Sequence, residues 1–259
     1  MIHGLYLLLL LILASPVWAF PTTPVRDVFT GTDGTDLTVY DGTNWGKNAL
    51  VIEHEIQGNA ATDTVDGTSA FNYWKTQFTN NQEVYLTVST KPPDGNYADV
   101  GVFVDPADAT FVNFDGYVVR LAPVAGTDGV QISRVDNGAS TQLGATISQE
   151  FTAGDKLGLE RRSNDISAFQ FTAGSWTSLG TRTDATYTGA KYLGFGSKST
   201  TTRMDDFGGG DTVECGAGSN YFLLNDAVSR IALNDQPGCL LLNGAVARVS
   251  TLTLMGVGQ

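Results

Sequence analysis

Two acidic side chains at alternate positions of one predicted strand have the spacing of a catalytic pair. Glu53 and Glu55 occur in the sequence Glu53-His54-Glu55-Ile56-Gln57. Alternate residues of a strand face the same way, about 7 Å apart. Retaining glycoside hydrolysis needs two carboxyl groups about 5 Å apart, and Gln57, the third residue on this face, cannot protonate a leaving oxygen. The sequence therefore predicts no complete catalytic site, and it leaves Glu53 and Glu55 as weak candidates on a solvated strand face.

Histidine chemistry in the mature protein would depend on His54, because the only other histidine is His3, in a segment that we expect to be removed. A Ser–His–Asp triad stays open, since its members need not be adjacent in sequence, but no Gly-x-Ser-x-Gly motif supports one. One histidine and two tail cysteines do not make a convincing zinc ligand set.

Aromatic side chains beside predicted turns are the candidates for ligand binding. Trp45, Tyr97 and Trp176 each follow a turn-rich stretch, so we expect all three to be partly exposed on loops, where binding residues concentrate. Flat aromatic faces can contact the C–H groups of a sugar, while amide and carboxylate groups read its hydroxyls. The alternative, that each ring packs in the core, applies most strongly to Trp74.

Short β-rich segments must position these residues. Asp-Gly and Asn-Gly pairs recur between the segments and favour tight turns, because these residues accept positive φ. The Asp-Gly pairs begin at residues 33, 41, 66, 94, 115 and 128, and the Asn-Gly pairs begin at residues 137 and 243. No window of helical length keeps a 3.6-residue apolar stripe, so the spacing predicts an all-β sandwich or barrel. The predicted strands include Val84–Thr90, Val100–Val104, Tyr117–Leu121, Val130–Val135, Ile166–Phe171 and Tyr192–Phe195.

The charge of the chain disfavours polyanionic partners. The 259 residues carry a net charge of −12 at pH 7, and nucleic-acid binding draws its affinity from Lys and Arg that displace counterions. We therefore expect no nucleic-acid partner. The length after residue 19 suits one large β domain.

Residues 1–19 have the composition of a signal peptide. They contain no Lys, Arg, Asp or Glu, and their apolar run is too short to span a bilayer. Ala19 precedes the expected cleavage site before Phe20, which predicts a secreted protein. The alternative is a buried N-terminal strand. No later segment is long and apolar enough for a membrane anchor, so we expect no membrane span.

Residues 211–259 form a tail of different texture. A nine-residue repeat of the type Leu-Leu-Asn-Asp begins at residues 223, 232 and 241 and predicts a small β-meander. Too small to hold a core, it would pack on the main domain or join a second copy of the chain as a homo-oligomer. Cys215 and Cys239 either form a disulfide, worth about 3 kcal/mol through loop closure, or remain buried thiols.

Several short motifs, taken in order, resemble the concanavalin A-like lectin/glucanase superfamily and in particular its laminin G-like jelly-roll modules. The resemblance predicts an antiparallel jelly-roll β-sandwich over residues 20–210, with one concave sheet and with the first and last strands side by side. The tail resembles short repeat tails of phage-type sequences. The matching motifs are Asp27-Val28-Phe29, Asp115-Gly116-Tyr117, Arg134-Val135-Asp136-Asn137-Gly138, Gln142-Leu143-Gly144, Ala153–Glu160, Thr183–Tyr187 and Met204-Asp205-Asp206-Phe207.

The resemblance also implies a set of functions. Such modules often hold a structural Ca²⁺ where the first and last strands meet, which points to Asp27 and to Asp205 or Asp206; the alternative is a turn cap and an ion pair. The first hypothesis is a secreted, non-catalytic carbohydrate-binding or adhesion protein whose partner is a polysaccharide or glycoconjugate. A polysaccharide hydrolase or lyase of the same superfamily and a virion or surface structural protein are the alternatives.

Overall fold

The computed structural model describes residues 20–47, 51–105, 114–124 and 126–212, together with the backbone of three short strands between 221 and 248. Almost all regular structure is β, and the single helix described, α1 (Leu37–Tyr40), is four residues long. The strands are β1 (Val25–Asp27), β2 (Trp45–Gly46), β3 (His54–Ile56), β4 (Ala61–Asp63), β5 (Ala70–Phe78), β6 (Gln82–Thr90), β7 (Ala98–Asp105), β8 (Asp115–Val124), β9 (Thr127–Asp136), β10 (Ala139–Gln142), β11 (Ile147–Ser148), β12 (Lys156–Arg162), β13 (Asp165–Thr172), β14 (Ser175–Thr183), β15 (Lys191–Ser197), β16 (Arg203–Asp211), β17 (Tyr221–Leu223), β18 (Cys239–Leu242) and β19 (Ala245–Arg248).

Two antiparallel sheets form the domain, which confirms the predicted jelly-roll sandwich. Sheet A has the order β14-β13-β12-β6-β16-β4-β3, with β1 also paired to β16. Sheet B has the order β10-β9-β8-β7-β15-β5-β2, with β11 paired to β9. The first and last strands of the domain, β1 and β16, lie side by side, as the resemblance implied.

The core lies between the two sheets and follows the alternation of the strands. Val130 and Ile132 of β9 are buried in it, whereas Gln131 between them is partly exposed. Leu157 and Leu159 of β12 supply the opposite wall from sheet A. One face of each sheet packs against the core, so the side chains on the other face point away from the core and are free to form other contacts.

The turn predictions were right in some places and wrong in others. Asn137 and Gly138 join β9 to β10 with φ of 49° and 73°, which confirms this turn. Asp115-Gly116 and Asp128-Gly129 were predicted as turns but lie inside β8 and β9. Tertiary pairing overrides the dipeptide there, because both strands continue their ladder through these residues.

The C-terminal strands form a small sheet that we describe by itself. β18 and β19 pair antiparallel, as in a meander, whereas β17 and β18 run parallel. Residues 1–19 and Cys215 lie outside the described residues, so the signal peptide and the disulfide with Cys239 stay predictions. Within the described part of the chain, no helix has the length and hydropathy needed to cross a membrane.

Candidate functional site

A depression on the outer face of sheet B combines aromatic and charged side chains. Asp99 of β7 and Arg120 of β8 are cross-strand neighbours, and Val100 and Val119 beside them lie in the core. Asp99 and Arg120 therefore point away from the core. We call the depression the sheet B pocket; it is lined by Val51, Ser69, Ala70, Phe71, Tyr97, Asp99, Phe114, Arg120, Val135, Gly138, Ser140 and Gly196.

Phe71 forms an apolar wall of the pocket by lying flat on a glycine-rich strand. Its ring covers the backbone of β15: a Cβ atom added at Gly194 would be 2.6 Å from the ring, and one added at Gly196 would be 2.9 Å away. Phe114 stacks on it with ring centres 4.1 Å apart and planes 20° from parallel. Only glycine lets an aromatic ring approach the sheet this closely.

Asp99 and Arg120 form the charged centre of the pocket. Arg120 donates from Nε to Oδ1 of Asp99 over 2.8 Å and from Nη2 to Oδ2 over 2.7 Å. Burial disfavours the charge of Arg120, but attraction to Asp99 outweighs it and raises the pKa of Arg120 above its ordinary value. This bidentate geometry favours the charged form of Arg120 and holds the guanidinium plane in one orientation.

Tyr97 completes the pocket beside this ion pair. The Arg120 guanidinium carbon lies 3.6 Å from the centre of the Tyr97 ring, and the Tyr97 hydroxyl is 2.5 Å from Oγ of Ser69. Burial, followed by the nearby Asp99, raises the pKa of Tyr97, so its hydroxyl stays neutral at physiological pH. The ring is partly exposed, as predicted from the preceding turn.

The pocket offers polar groups around an aromatic wall. Its volume is about 110 Å³, whereas one water needs about 10–15 Å³ on this measure. Arginine N–H groups donate, carboxylate oxygens accept, and hydroxyls of Ser69 and Ser140 do both. Among the described lining residues Asp99 is the one carboxylate, and it is paired with Arg120. This donor set suits a neutral, hydroxyl-rich ring.

The expectation that Trp45 is exposed was wrong. Trp45 is 0% exposed, and its ring lies in the core 5.2 Å from that of Trp74 and 4.9 Å from that of Phe207. Its Nε1 donates to Oδ2 of Asp27 over 2.7 Å. Because Asp27 satisfies the one polar group of the indole, the whole side chain can be buried despite the turn before it.

Trp176 lies on the outer face of sheet A, away from the sheet B pocket. It follows a hairpin turn at Ala173-Gly174 between β13 and β14, which agrees with the turn-rich stretch predicted before it. The ring is partly buried, 4.7 Å from the ring of Phe20 and 5.8 Å from that of Tyr85. A role of Trp176 in ligand binding stays a prediction.

The acidic strand face around Glu53 is not solvated as expected. Glu53 is 5% exposed; it binds Nζ of Lys47 over 2.5 Å and Oγ1 of Thr38 over 2.7 Å. Burial alone would raise the pKa of Glu53, but Lys47 and Thr38 lower it below its ordinary value. Glu53 is thus an ionised structural carboxylate, while Glu55 beside it is partly exposed on β3.

A Ser–His–Asp cluster does exist, but it is fully buried. Nε2 of His54 lies 3.2 Å from Oγ of Ser197 and 3.1 Å from Oδ1 of Asp63. Its Nδ1 lies 2.8 Å from Oδ1 of Asn72. In a catalytic triad the carboxylate holds the nitrogen opposite the serine, whereas here Asp63 and Ser197 share one nitrogen. All four side chains are at most 1% exposed, so the cluster joins the two sheets and is closed to solvent.

Asp27 and Asp206 do not fit a shared calcium site. Asp27 accepts hydrogen bonds from the Phe29 N–H, the Tyr40 hydroxyl and the Trp45 indole. Burial and Asp27 raise the pKa of Tyr40 to about 12. Nζ of Lys156 lies 2.9 Å from Oδ2 of Asp206, where a cation would bind. Nowhere in the described residues do three or more His, Cys, Asp or Glu side chains gather to hold a metal ion.

Sequence reasoning missed most of the pocket. Phe71, Asp99, Phe114 and Arg120 were not predicted as site residues. One usable signal was Gly194-Phe195-Gly196, because alternate glycines on one strand face indicate close approach of another group. The pairing of Asp99 with Arg120 depends on the register between β7 and β8, and the sequence pattern does not give that register.

No known protein family matches the sequence, and no curated protein matches it. Several solved structures of other proteins are similar to this chain in fold. A carbohydrate-binding module, CBM66 from Bacillus subtilis, is 14% identical with a TM-score of 0.50, covering 63% of this chain and 93% of the module. A legume lectin-like domain from Entamoeba histolytica is 13% identical with a TM-score of 0.50, covering 66% of this chain and 92% of that domain.

A further match is the exoplasmic/lumenal domain of VIP36 in its Ca²⁺/Man2-bound form. It is 12% identical with a TM-score of 0.52, covering 75% of this chain and 90% of that domain. Likeness at such low identity concerns backbone architecture alone. Together with the two sheets and their strand order, it shows that this chain has the concanavalin A-like jelly-roll fold.

Proposed function

We propose that the protein is a secreted, non-catalytic carbohydrate-binding protein that holds a neutral sugar in the sheet B pocket. The observation that carries the proposal is the combination of the Phe71–Phe114 wall with the Asp99–Arg120 pair on one outer face of the sheet. The three solved structures of similar fold are a carbohydrate-binding module, a legume lectin-like domain and a domain in a Ca²⁺/Man2-bound form, and they support this class of ligand.

Sugar binding requires both an apolar surface and fixed polar groups. Phe71 is 8% exposed because it lies between the β15 glycines and Phe114, so the partly exposed Phe114 supplies most of the apolar ring surface for the C–H side of a pyranose or furanose. The N–H groups of Arg120 and the oxygens of Asp99 are held by their own pairing, so little side-chain entropy is lost on binding. The pair is neutral as a unit, which favours uncharged sugars over uronates.

Binding of the mature protein to a glycan array, followed by calorimetry with the best ligand, tests the proposal. Tyr97→Ala removes the ring on which Arg120 rests and should weaken binding about 10-fold, the loss of about 1.4 kcal/mol. Gly196→Val places a side chain against Phe71 and Ala70 and should abolish binding. Trp176→Ala removes an aromatic ring from the opposite outer face and should leave the affinity unchanged; a loss of affinity in this variant would move the binding site to Trp176.

Two results would contradict the proposal. One is the absence of any bound glycan on the array. The other is unchanged affinity in both pocket variants when circular dichroism shows that they are folded. Release of reducing ends from a polysaccharide, abolished by Glu53→Gln or Glu55→Gln, would instead favour the hydrolase alternative.

A further inference from the structure

The segment that follows the predicted cleavage site is inserted into the outer face of sheet A. Phe20 is 8% exposed, and its ring stacks on Phe169 with centres 4.1 Å apart and planes 4° from parallel. A Cβ atom added at Gly158 would be 2.5 Å from the Phe20 ring. Phe20 therefore fills a recess that is shaped for it.

A buried carboxylate lies under the same segment. Glu83 of β6 is 0% exposed. Its Oε1 accepts from the hydroxyls of Thr22 and Thr23, each over 2.7 Å, and from the Thr22 N–H. Its Oε2 is buried and has no hydrogen-bond partner. Burial raises the pKa of Glu83 above its ordinary value, as expected for a carboxylate without a counter-charge.

Three cations on strands of sheet A contact groups other than Glu83. Lys156 pairs with Asp206, and Nε of Arg162 pairs with Glu160. Arg26 donates from Nε to the carbonyl of Gly209 over 2.5 Å. Glu160 is the cross-strand neighbour of Glu83 and adds a second acidic group. A buried charge with an unpaired oxygen is costly, and this face of sheet A therefore favours an added positive group.

We propose that cleavage between Ala19 and Phe20 supplies this group, as an α-ammonium on Phe20 that pairs with Glu83. Hydrolysis of that peptide bond by an export peptidase consumes one water and leaves a carboxylate on Ala19 and an ammonium on Phe20. The new chain end stands two residues before Thr22, which already binds Glu83. The pairing rests on the predicted signal peptide and is independent of sugar binding.

Two measurements test this pairing. N-terminal sequencing of the protein exported from full-length precursor should begin at Phe20. The mature chain released with Phe20 as its first residue is then compared with the same chain preceded by Gly-Ala. We expect the melting temperature of the chain that starts at Phe20 to be about 2–4 °C higher, the shift expected for one added ion pair in a domain of this size.

The Glu83→Gln substitution should reverse the difference in melting temperature between the two chains. It keeps an oxygen for Thr22 and Thr23 but removes the charge, so it should stabilise the extended chain and destabilise the chain that starts at Phe20. Glu55→Gln, the same change on β3, should affect both chains equally. A different first residue after export, or an extension effect that is equal with and without Glu83→Gln, would overturn the pairing. Glycan affinity should be the same in all these variants.

Discussion

The outer faces of sheet A and sheet B contain similar side chains but are used differently. On sheet A, Phe20 and Trp176 approach the backbone at Gly158, close to the buried carboxylate of Glu83. On sheet B, Phe71 lies on Gly194 and Gly196, close to the buried carboxylate of Asp99. On sheet A the recess is filled by the N-terminal segment of the same chain, whereas on sheet B a depression remains.

This difference shows how one fold separates stability from recognition. On either sheet, a strand glycine leaves a recess in which an aromatic ring lies on the backbone, and whatever fills the rest of that recess decides its role. Where the chain fills it, the contact adds to the free energy of unfolding. Where a depression remains, the polar groups and the exposed part of the aromatic wall are available to a ligand. Three predictions test this separation.

The largest effect is expected from Arg120→Met in the sheet B pocket. It leaves Asp99 buried without its partner, which should lower the free energy of unfolding by about 3–5 kcal/mol at pH 7. Burial raises the pKa of Asp99, so the penalty of its charge is present above that pKa. The deficit should therefore shrink as the pH falls and Asp99 becomes protonated. Urea unfolding between pH 3 and pH 8 measures this.

The double variant Arg120→Met/Asp99→Leu serves as the control for that result. Because it removes both charges, it should recover most of the stability but none of the glycan binding. A deficit for Arg120→Met that is the same at every pH would contradict the role given to Asp99.

A smaller effect on stability, and none on binding, is expected from Phe20→Ala on sheet A. The loss of a largely buried ring should lower the free energy of unfolding by about 2–3 kcal/mol. Glycan affinity should stay within about twofold of the unchanged protein, since Phe20 contacts the opposite face. Denaturant unfolding measures the free energy of unfolding, and calorimetry of the same sample measures the glycan affinity. A large loss of affinity would show that the two faces are coupled.

The smallest effect is expected from removing calcium. The described lining of the sheet B pocket has one carboxylate, and it is paired with Arg120. EDTA should therefore change glycan affinity by less than about twofold, and added Ca²⁺ should not raise it, since Ca²⁺ prefers several free oxygen ligands. Calorimetry in a buffer with EDTA and in a buffer with Ca²⁺ measures the two glycan affinities. Strong dependence on Ca²⁺ would move the site to other residues.

The sequence predicted the sandwich because its main signals are local. The alternation of Val130, Gln131 and Ile132 and the Asn137-Gly138 turn each depend on neighbouring residues, and both appear in the structure. The same local signal failed at Asp128-Gly129. There Asp128 is anchored by distant groups, Nζ of Lys91 and the Phe151 N–H, and the strand continues.

The site was harder to predict because it depends on contacts between distant residues. Trp45 follows a turn, but Asp27, eighteen positions earlier, satisfies its indole and permits burial. The sheet B pocket brings together Phe71, Asp99 and Arg120 only when β5, β15, β7 and β8 are in register. A pattern of alternating residues gives the face of each side chain within its strand, but not the strand beside it.

The antiparallel pairing of β1 with β16 has a mechanical consequence. Val25, at the start of β1, lies opposite Gly208, near the end of β16. A force that pulls Val25 and Gly208 apart acts on one end of the β1–β16 ladder, so it breaks the hydrogen bonds between the two strands one after another. When the protein is stretched between these two positions, β1 should therefore separate from β16 at a low force while the other strands of the sandwich remain paired.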